Sequence, residues 1–114
     1  MSGQQELLQV YQAGDLTVVS FGGHEILGQI DMSKVRDQLL EVIRKHGTQT
    51  MAFDLQKVKL IPSGMLGLMA SVLKMKVAVH VYNPSPNVRE VLNVTGLTKV
   101  ISIHELEEDH LGTT

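Results

Sequence analysis

The spacing of apolar residues predicts a hairpin of two strands at the amino end of the chain. Residues 7–11 and 16–21 are rich in β-branched, aromatic and other apolar side chains. Between them, Ala13-Gly14-Asp15 has the composition of a tight turn. Residues 24–30 contain a glycine and show no clear period, so we interpret them as a loop with at most one short strand.

Three later segments have the period of helices. Apolar residues recur at helical spacing after Asp31-Met32-Ser33, which offers two possible caps, and this helix is expected to end at Gly47. A second helix is predicted over 64–73. A third begins with Ser85-Pro86 as its N-cap and first residue, and Gly96 suits a left-handed position just past its end.

Short apolar runs predict three further strands, over 50–55, 76–82 and 99–103. The run 50–55 is nearly continuous, as expected of a central strand that is covered on both faces. Because helices alternate with strands after the hairpin, the later strands should be mostly parallel and joined by right-handed crossovers. The sequence therefore predicts an α/β fold built on a mixed sheet.

The stretch Val58–Leu73 differs most from an ordinary helix and its connection. Pro62 disfavours a helical conformation at Ile61, so a helix is not expected to extend back through this point. Ser63 is then a natural N-cap, and no ionisable residue follows it until after Leu73. A serine at the positive end of an apolar helix is either a structural cap or a place where phosphate could be added, and both interpretations stay open here.

Composition and charge exclude several classes of protein. The chain has 114 residues, of which 43% are hydrophobic and 19% charged, as in one globular domain. A net charge of −2 argues against nucleic-acid binding, and the absence of cysteine excludes disulfides, thiol catalysis and sulfur-ligated metals. The amino end does not resemble a signal peptide, and the longest apolar stretch is roughly half the length of a membrane-spanning helix. We expect a cytoplasmic protein that is not inserted in a membrane.

The sequence contains no pattern that indicates catalysis or a cofactor. Asp54 lies near the end of a predicted strand, but no second acid or base stands beside it. Gly22-Gly23 lacks the glycine spacing of nucleotide-binding loops. We therefore expect a protein that is not an enzyme and needs no cofactor.

The five histidines also lack the spacing of metal ligands in the sequence. His24, His46 and His80 fall in separate predicted elements. His104 and His110 flank acidic residues that could attract a divalent ion weakly, but we interpret residues from 104 onward as a solvated, frayed polar tail with no metal site.

Three segments make the chain resemble the STAS domain, the fold shared by bacterial anti-sigma-factor antagonists and the cytoplasmic tails of sulfate transporters. Phe53-Asp-Leu-Gln-Lys-Val58 is similar to a strand of that family and the acidic residue that closes it. Ile61-Pro-Ser-Gly-Met-Leu-Gly67 falls on the family's Asp-Ser-Ser-Gly-Leu-Gly loop and helix start. Asn83–Leu97 is close to its third helix. The resemblance implies one domain over 1–114, with a core of about 7–103 and an acidic tail over 104–114.

The resemblance also implies a more specific fold. We expect a mixed β-sheet with an amino-terminal hairpin strand and about three helices packed mainly on one side. Aligned without gaps, Ser63 falls on the serine that a partner kinase phosphorylates in antagonists of the family. Pro62 stands where the family has aspartate, Gly64 where it has a second hydroxyl residue, and Met65 where it has glycine.

The function implied by the resemblance is that of a non-enzymatic regulator which binds a kinase-type anti-sigma factor and is switched by phosphorylation of Ser63. Because the helix after Ser63 is apolar on more than one face, we expect one side of it to contact the partner. The expected contact residues are Pro62, Ser63, Gly64, Met65, Leu66 and Met69. The alternative is a constitutive binding module, such as a small cytoplasmic subunit of a transporter ATPase, in which Ser63 is only an N-cap. A homodimer through the same helix also stays open.

Overall fold

A computed structural model describes residues 9–21 and 31–105 of the chain. The predicted loop 24–30 and the tail from residue 106 lie outside the described residues, as do residues 7 and 8 of the first predicted strand. In chain order the elements are β1 (Gln9–Gln12), β2 (Leu16–Ser20), α1 (Met32–His46), β3 (Thr50–Asp54), α2 (Ser63–Lys74), β4 (Ala78–Tyr82), α3 (Pro86–Val94), a 3₁₀ turn (Leu97–Lys99) and β5 (Ser102–His104).

The strands form one mixed sheet in the order β1-β2-β3-β4-β5. β1 is antiparallel to β2, and every later pair is parallel, which confirms the predicted hairpin and the predicted mixed sheet. The register shifts between Val10 and Gln12 of β1, so Tyr11 is a bulge on an edge strand. Along the centre of the sheet, one row of paired residues contains Val19, Phe53, Val81 and Ile103.

A single hydrophobic core joins all three helices to one face of this sheet. Phe53 and Val81 of the sheet belong to the same buried cluster as Leu39 of α1, Met69 of α2 and Leu92 of α3. This confirms the expectation that the helices pack mainly on one side. The core forms because alternate strand residues point to one face and each helix presents an apolar stripe to it.

The other face of β3 differs from what its apolar sequence predicts. Met51 and Phe53 are fully buried under the helices, whereas Thr50 and Asp54, which point to the opposite face, are only half-buried. Ala52 lies between them and is buried, with Val18 and His80 as its partners on the adjacent strands. Among the described residues no helix covers this second face, so the prediction of a strand covered on both faces is wrong, although its central position is confirmed.

Side chains and glycines fix the ends of α1. Asp31 Oδ1 accepts hydrogen bonds from the Ser33 hydroxyl at 2.7 Å, the Ser33 amide at 3.1 Å and the Lys34 amide at 3.4 Å. The Ser33 hydroxyl and the Lys34 amide are the largest of the effects that lower the pKa of Asp31 below its ordinary value. At the other end, Gly47 is left-handed with φ 63°, and its amide bonds to the Ile43 carbonyl. Both ends of α1 agree with the prediction.

The carboxyl-terminal part of the structure corrects the two predicted boundaries of the last strand. Lys99 belongs to the 3₁₀ turn, so β5 starts at Ser102 and not at residue 99. His104, which was expected to begin a frayed tail, ends β5, and its carbonyl accepts a hydrogen bond from the Asn83 amide at 2.8 Å. Glu105 forms an ion pair with Arg89 of α3 at 2.6 Å. The strand pairing and the ion pair together order residues that composition alone marks as solvated.

Two substitutions in α3 test the assignment of its buried face. Leu92→Ala removes a side chain that is 0% exposed, and we expect it to lower the free energy of unfolding by about 2–5 kcal/mol. Val94→Ala, on the same helix but 76% exposed, should change it by less than about 0.5 kcal/mol. Urea denaturation of both variants measures the difference, and equal losses would contradict the orientation of α3.

Candidate functional site

The loop from Leu55 to Ile61 positions the amino end of α2. The Leu55 amide donates to the Tyr82 carbonyl at 3.0 Å, which ties the loop to the neighbouring strand. Asp54 Oδ1 accepts from the Gln56 amide at 3.0 Å, and the Ser85 hydroxyl donates to the Lys59 carbonyl at 3.3 Å. Because hydrogen bonds from the ends of β3 and β4 and from the start of α3 hold the loop, the start of α2 has a fixed place at the carboxyl ends of the central strands.

Pro62, and not Ser63, is the N-cap of α2. Its backbone is extended, with φ −76° and ψ 158°, and its carbonyl accepts from the Met65 amide at 2.9 Å. The helix has no side-chain cap, since proline carries no acceptor there. The prediction that Ser63 is the N-cap was wrong, because a proline restricts the residue before it and leaves the residue after it free to become helical.

Ser63 is therefore the first helical residue, and its side chain is exposed. Its hydroxyl makes no hydrogen bond with the described part of the chain. The first amides of a helix have no partner within the helix, and the helix dipole adds partial positive charge at this end. An exposed hydroxyl at this position is accessible to an enzyme, and its surroundings favour negative charge.

The core side of α2 carries its large apolar residues. Met65 and Met69 are 0% exposed, and Leu68 and Val72 are also buried. Met65 and Met69 therefore cannot belong to a contact surface, and their prediction as partner-binding residues is corrected. Leu66 is half-buried and packs against the core.

The outer side of α2 is made of small residues and faces α1 across a groove. The groove has a volume of about 310 Å³ and is lined by Met32, Ser33, Arg36, Gly64, Gly67, Leu68 and Ser71. A Cβ added to Gly64 would lie 3.1 Å from Met32 Cγ, so glycine allows α1 and α2 to approach closely here. A Cβ added to Gly67 would meet nothing within 4 Å, so that position opens onto the groove itself.

Four of the six predicted contact residues keep some exposure to solvent, but of these only Gly64 lines the groove. Ser63 and Gly64 are exposed, and Pro62 and Leu66 are half-buried. The sequence interpretation missed the contribution of α1, which supplies a charged side chain to the groove wall, Arg36. The available signal was the pair of glycines one turn apart in α2, which is typical of a helix face that another element approaches.

The described residues do not point to a membrane span or to a three-ligand metal centre. Within 9–21 and 31–105, no helix is long and apolar enough to cross a membrane. No three histidine, aspartate or glutamate side chains of those ranges are grouped as they would be around a metal ion.

Comparisons with known proteins identify the architecture. The family model described as the STAS domain matches residues 8–110. A STAS-domain anti-sigma-factor antagonist protein from Planctomyces limnophilus has a similar structure, with a TM-score of 0.74, 21% sequence identity and coverage of 93% of this chain and 95% of that one. No significant match is found among curated protein sequences.

Two structures of the antagonist SpoIIAA are also similar. Its unphosphorylated form has a TM-score of 0.71 and 19% identity, covering 91% of this chain and 92% of that one. The phosphorylated form from Bacillus has a TM-score of 0.64 and 20% identity, covering 93% and 97%. These likenesses show the fold.

The two serines at helix starts provide a matched test of the capping assignment. Ser85 accepts a hydrogen bond from the Val88 amide at 3.2 Å as the N-cap of α3, so Ser85→Ala should destabilise the protein by about 1 kcal/mol. Ser63→Ala should change the free energy of unfolding by less than about 0.5 kcal/mol, because that hydroxyl bonds to nothing in the described part of the chain. If urea denaturation showed the same loss of unfolding free energy for both variants, Ser63 would be acting as a cap and the assignment to Pro62 would be wrong.

Proposed function

The chain belongs to the STAS domain family, and on that premise we propose that it is a non-enzymatic cytoplasmic regulator of the anti-sigma-factor-antagonist type. It binds a kinase-type anti-sigma factor through the start of α2 and the groove between α1 and α2. Binding sequesters that factor and frees the sigma factor. Phosphorylation of Ser63 by the same partner ends the interaction.

The observation that carries this proposal is the exposed Ser63 hydroxyl, which has no hydrogen bond to maintain within the described residues. A phosphate on it would add roughly −1.5 to −2 charges at the amino end of α2. Within the domain, the helix dipole and the free first-turn amides tolerate that charge. Inside a desolvated contact with a partner, the same charge is costly, so the interface opens while the domain stays folded.

The groove supports a protein partner because its walls combine small residues with a cation. Gly67 and Ser71 let the backbone or a side chain of a partner approach α2 closely. Arg36 on the α1 wall is exposed and favours an acidic or carbonyl group on that partner. The contact surface is therefore more polar than the methionine patch expected from the sequence.

A constitutive binding module is the second candidate. Pro62 stands where the family has an aspartate, and this departure favours a protein whose serine is not modified. In that case the same groove binds a partner, for instance a transporter ATPase, without a switch. The exposed Ser63 would then have neither a capping nor a regulatory role.

Phosphorylation of Ser63 is tested by incubating the protein with its partner kinase and ATP. We expect the intact mass to rise by one phosphate in the wild type and in Ser71→Ala, a serine of the same helix, but not in Ser63→Ala. Ser63→Asp should bind the partner at least about tenfold more weakly than wild type, as expected for an unpaired charge in an interface. Binding of the wild type without any mass gain would favour the constitutive module.

The role of the groove is tested at Gly67, where a side chain has room. Gly67→Ala and Gly67→Gln should each raise the free energy of unfolding by up to about 1 kcal/mol. Either residue favours a helix more than glycine does, and a Cβ at this position meets nothing within 4 Å. Only the glutamine is long enough to fill the groove and block the partner. If both variants bind the partner with wild-type affinity in calorimetry, the contact surface lies elsewhere.

A further inference from the structure

The open face of the sheet brings together two histidines that the sequence places 24 residues apart. His80 of β4 and His104 of β5 are both half-buried on the face opposite the helices. His80 pairs with Ser102, two residues before His104, and alternate residues of a strand share a face. His80 Nδ1 lies 2.8 Å from His104 Nε2.

The two imidazoles lie edge to edge. The angle between their planes is 6° and the distance between their centroids is 5.0 Å. This centroid distance is close to the 2.8 Å between the facing nitrogens plus one ring radius on each side, as expected for rings that meet at their edges. Tyr82, which pairs with His104 across the strands, lies against the His104 ring with a centroid distance of 4.6 Å and 16° between planes. The tyrosine thus supports one ring of the pair from its face.

A contact of 2.8 Å between two imidazole nitrogens holds a single proton. Two protonated nitrogens would repel each other, so one ring donates and the other accepts through a lone pair. When the donor ring carries its proton on its other nitrogen instead, both facing nitrogens have a lone pair. Such a pair is the donor set that late first-row divalent metals prefer.

We infer that His80 Nδ1 and His104 Nε2 supply two ligands to a divalent cation of square-planar or tetragonal preference, Cu²⁺ or Ni²⁺. Two nitrogens bound at about 2.0 Å and at right angles to each other are roughly 2.8 Å apart, the separation seen here. Tetrahedral Zn²⁺ would need them roughly 3.3 Å apart. Metal binding requires each ring to turn so that its lone pair points to the metal and not to the other nitrogen.

The charged neighbours leave this site to the two imidazoles. Glu105 follows His104 in the chain and is engaged by Arg89 of α3, on the helix side of the sheet. Asp54 shares the open face, but its partner in the strand register is Tyr82, and Tyr82 lies between Asp54 and His104. Within the described ranges no third metal-ligating side chain joins the pair. The site lies on the opposite face from Ser63 and does not depend on the proposed function.

The test is a titration of the whole protein with Cu²⁺, followed by electron paramagnetic resonance. The wild type should bind one ion with two nitrogen ligands, and its order of affinity should be Cu²⁺ above Ni²⁺ above Zn²⁺. His80→Gln and His104→Gln should each weaken Cu²⁺ binding at least about tenfold. His46→Gln removes an exposed histidine at the end of α1 and should bind as the wild type does.

Two outcomes would overturn the site. The first is unchanged Cu²⁺ affinity in the double variant His80→Gln/His104→Gln, in which His24, His46 and His110 remain to report binding elsewhere. The second is measured on the wild type alone, so it does not depend on whether a variant folds. Substoichiometric Cu²⁺ should broaden the nuclear magnetic resonance signals of His80 and His104 first, and broadening of other histidines in their place would contradict the assignment.

Discussion

The packing of three helices against one face of a five-stranded sheet is the interaction on which the other features of this domain depend. Its centre is the row of Val19, Phe53 and Val81, which are each fully buried beneath the helices. Every fully buried side chain of this size contributes about 1.5–3 kcal/mol relative to an exposed one. The buried residues of α2 together therefore outweigh a helix cap, which is worth about 1 kcal/mol.

That difference in magnitude determines what the surface of α2 can be. The helix turns its methionines toward the sheet because burying them there stabilises the fold more than any contact at the helix end, and its small residues are left outside. The outer side then consists of Gly64, Gly67 and Ser71, whose small size creates the groove with α1. The contact surface proposed for a partner is thus a consequence of core packing, and the methionines expected there serve the core.

The same alternation of strand residues determines the opposite face. Residues that do not point toward the helices form a second surface on which His80, Tyr82 and His104 lie in contact. The domain therefore presents two chemically different surfaces, one at the start of α2 and one on the open sheet. Because the sheet separates them, a partner on the first surface leaves the second accessible.

The sequence by itself determined the order of the elements, the ends of α1 and the family. Periodicity, turn residues and caps act between neighbours in the chain, and Asp31, Gly47 and Ser85 perform the roles that their positions predicted. Only the tertiary structure decided which residues are accessible, since Met65 and Met69 have the same local signal whether they face a partner or a sheet. It also decided that Arg36 joins the groove and that His80 meets His104. Those outcomes depend on the register between strands and the rotation of helices, which are set by contacts between residues distant in the chain.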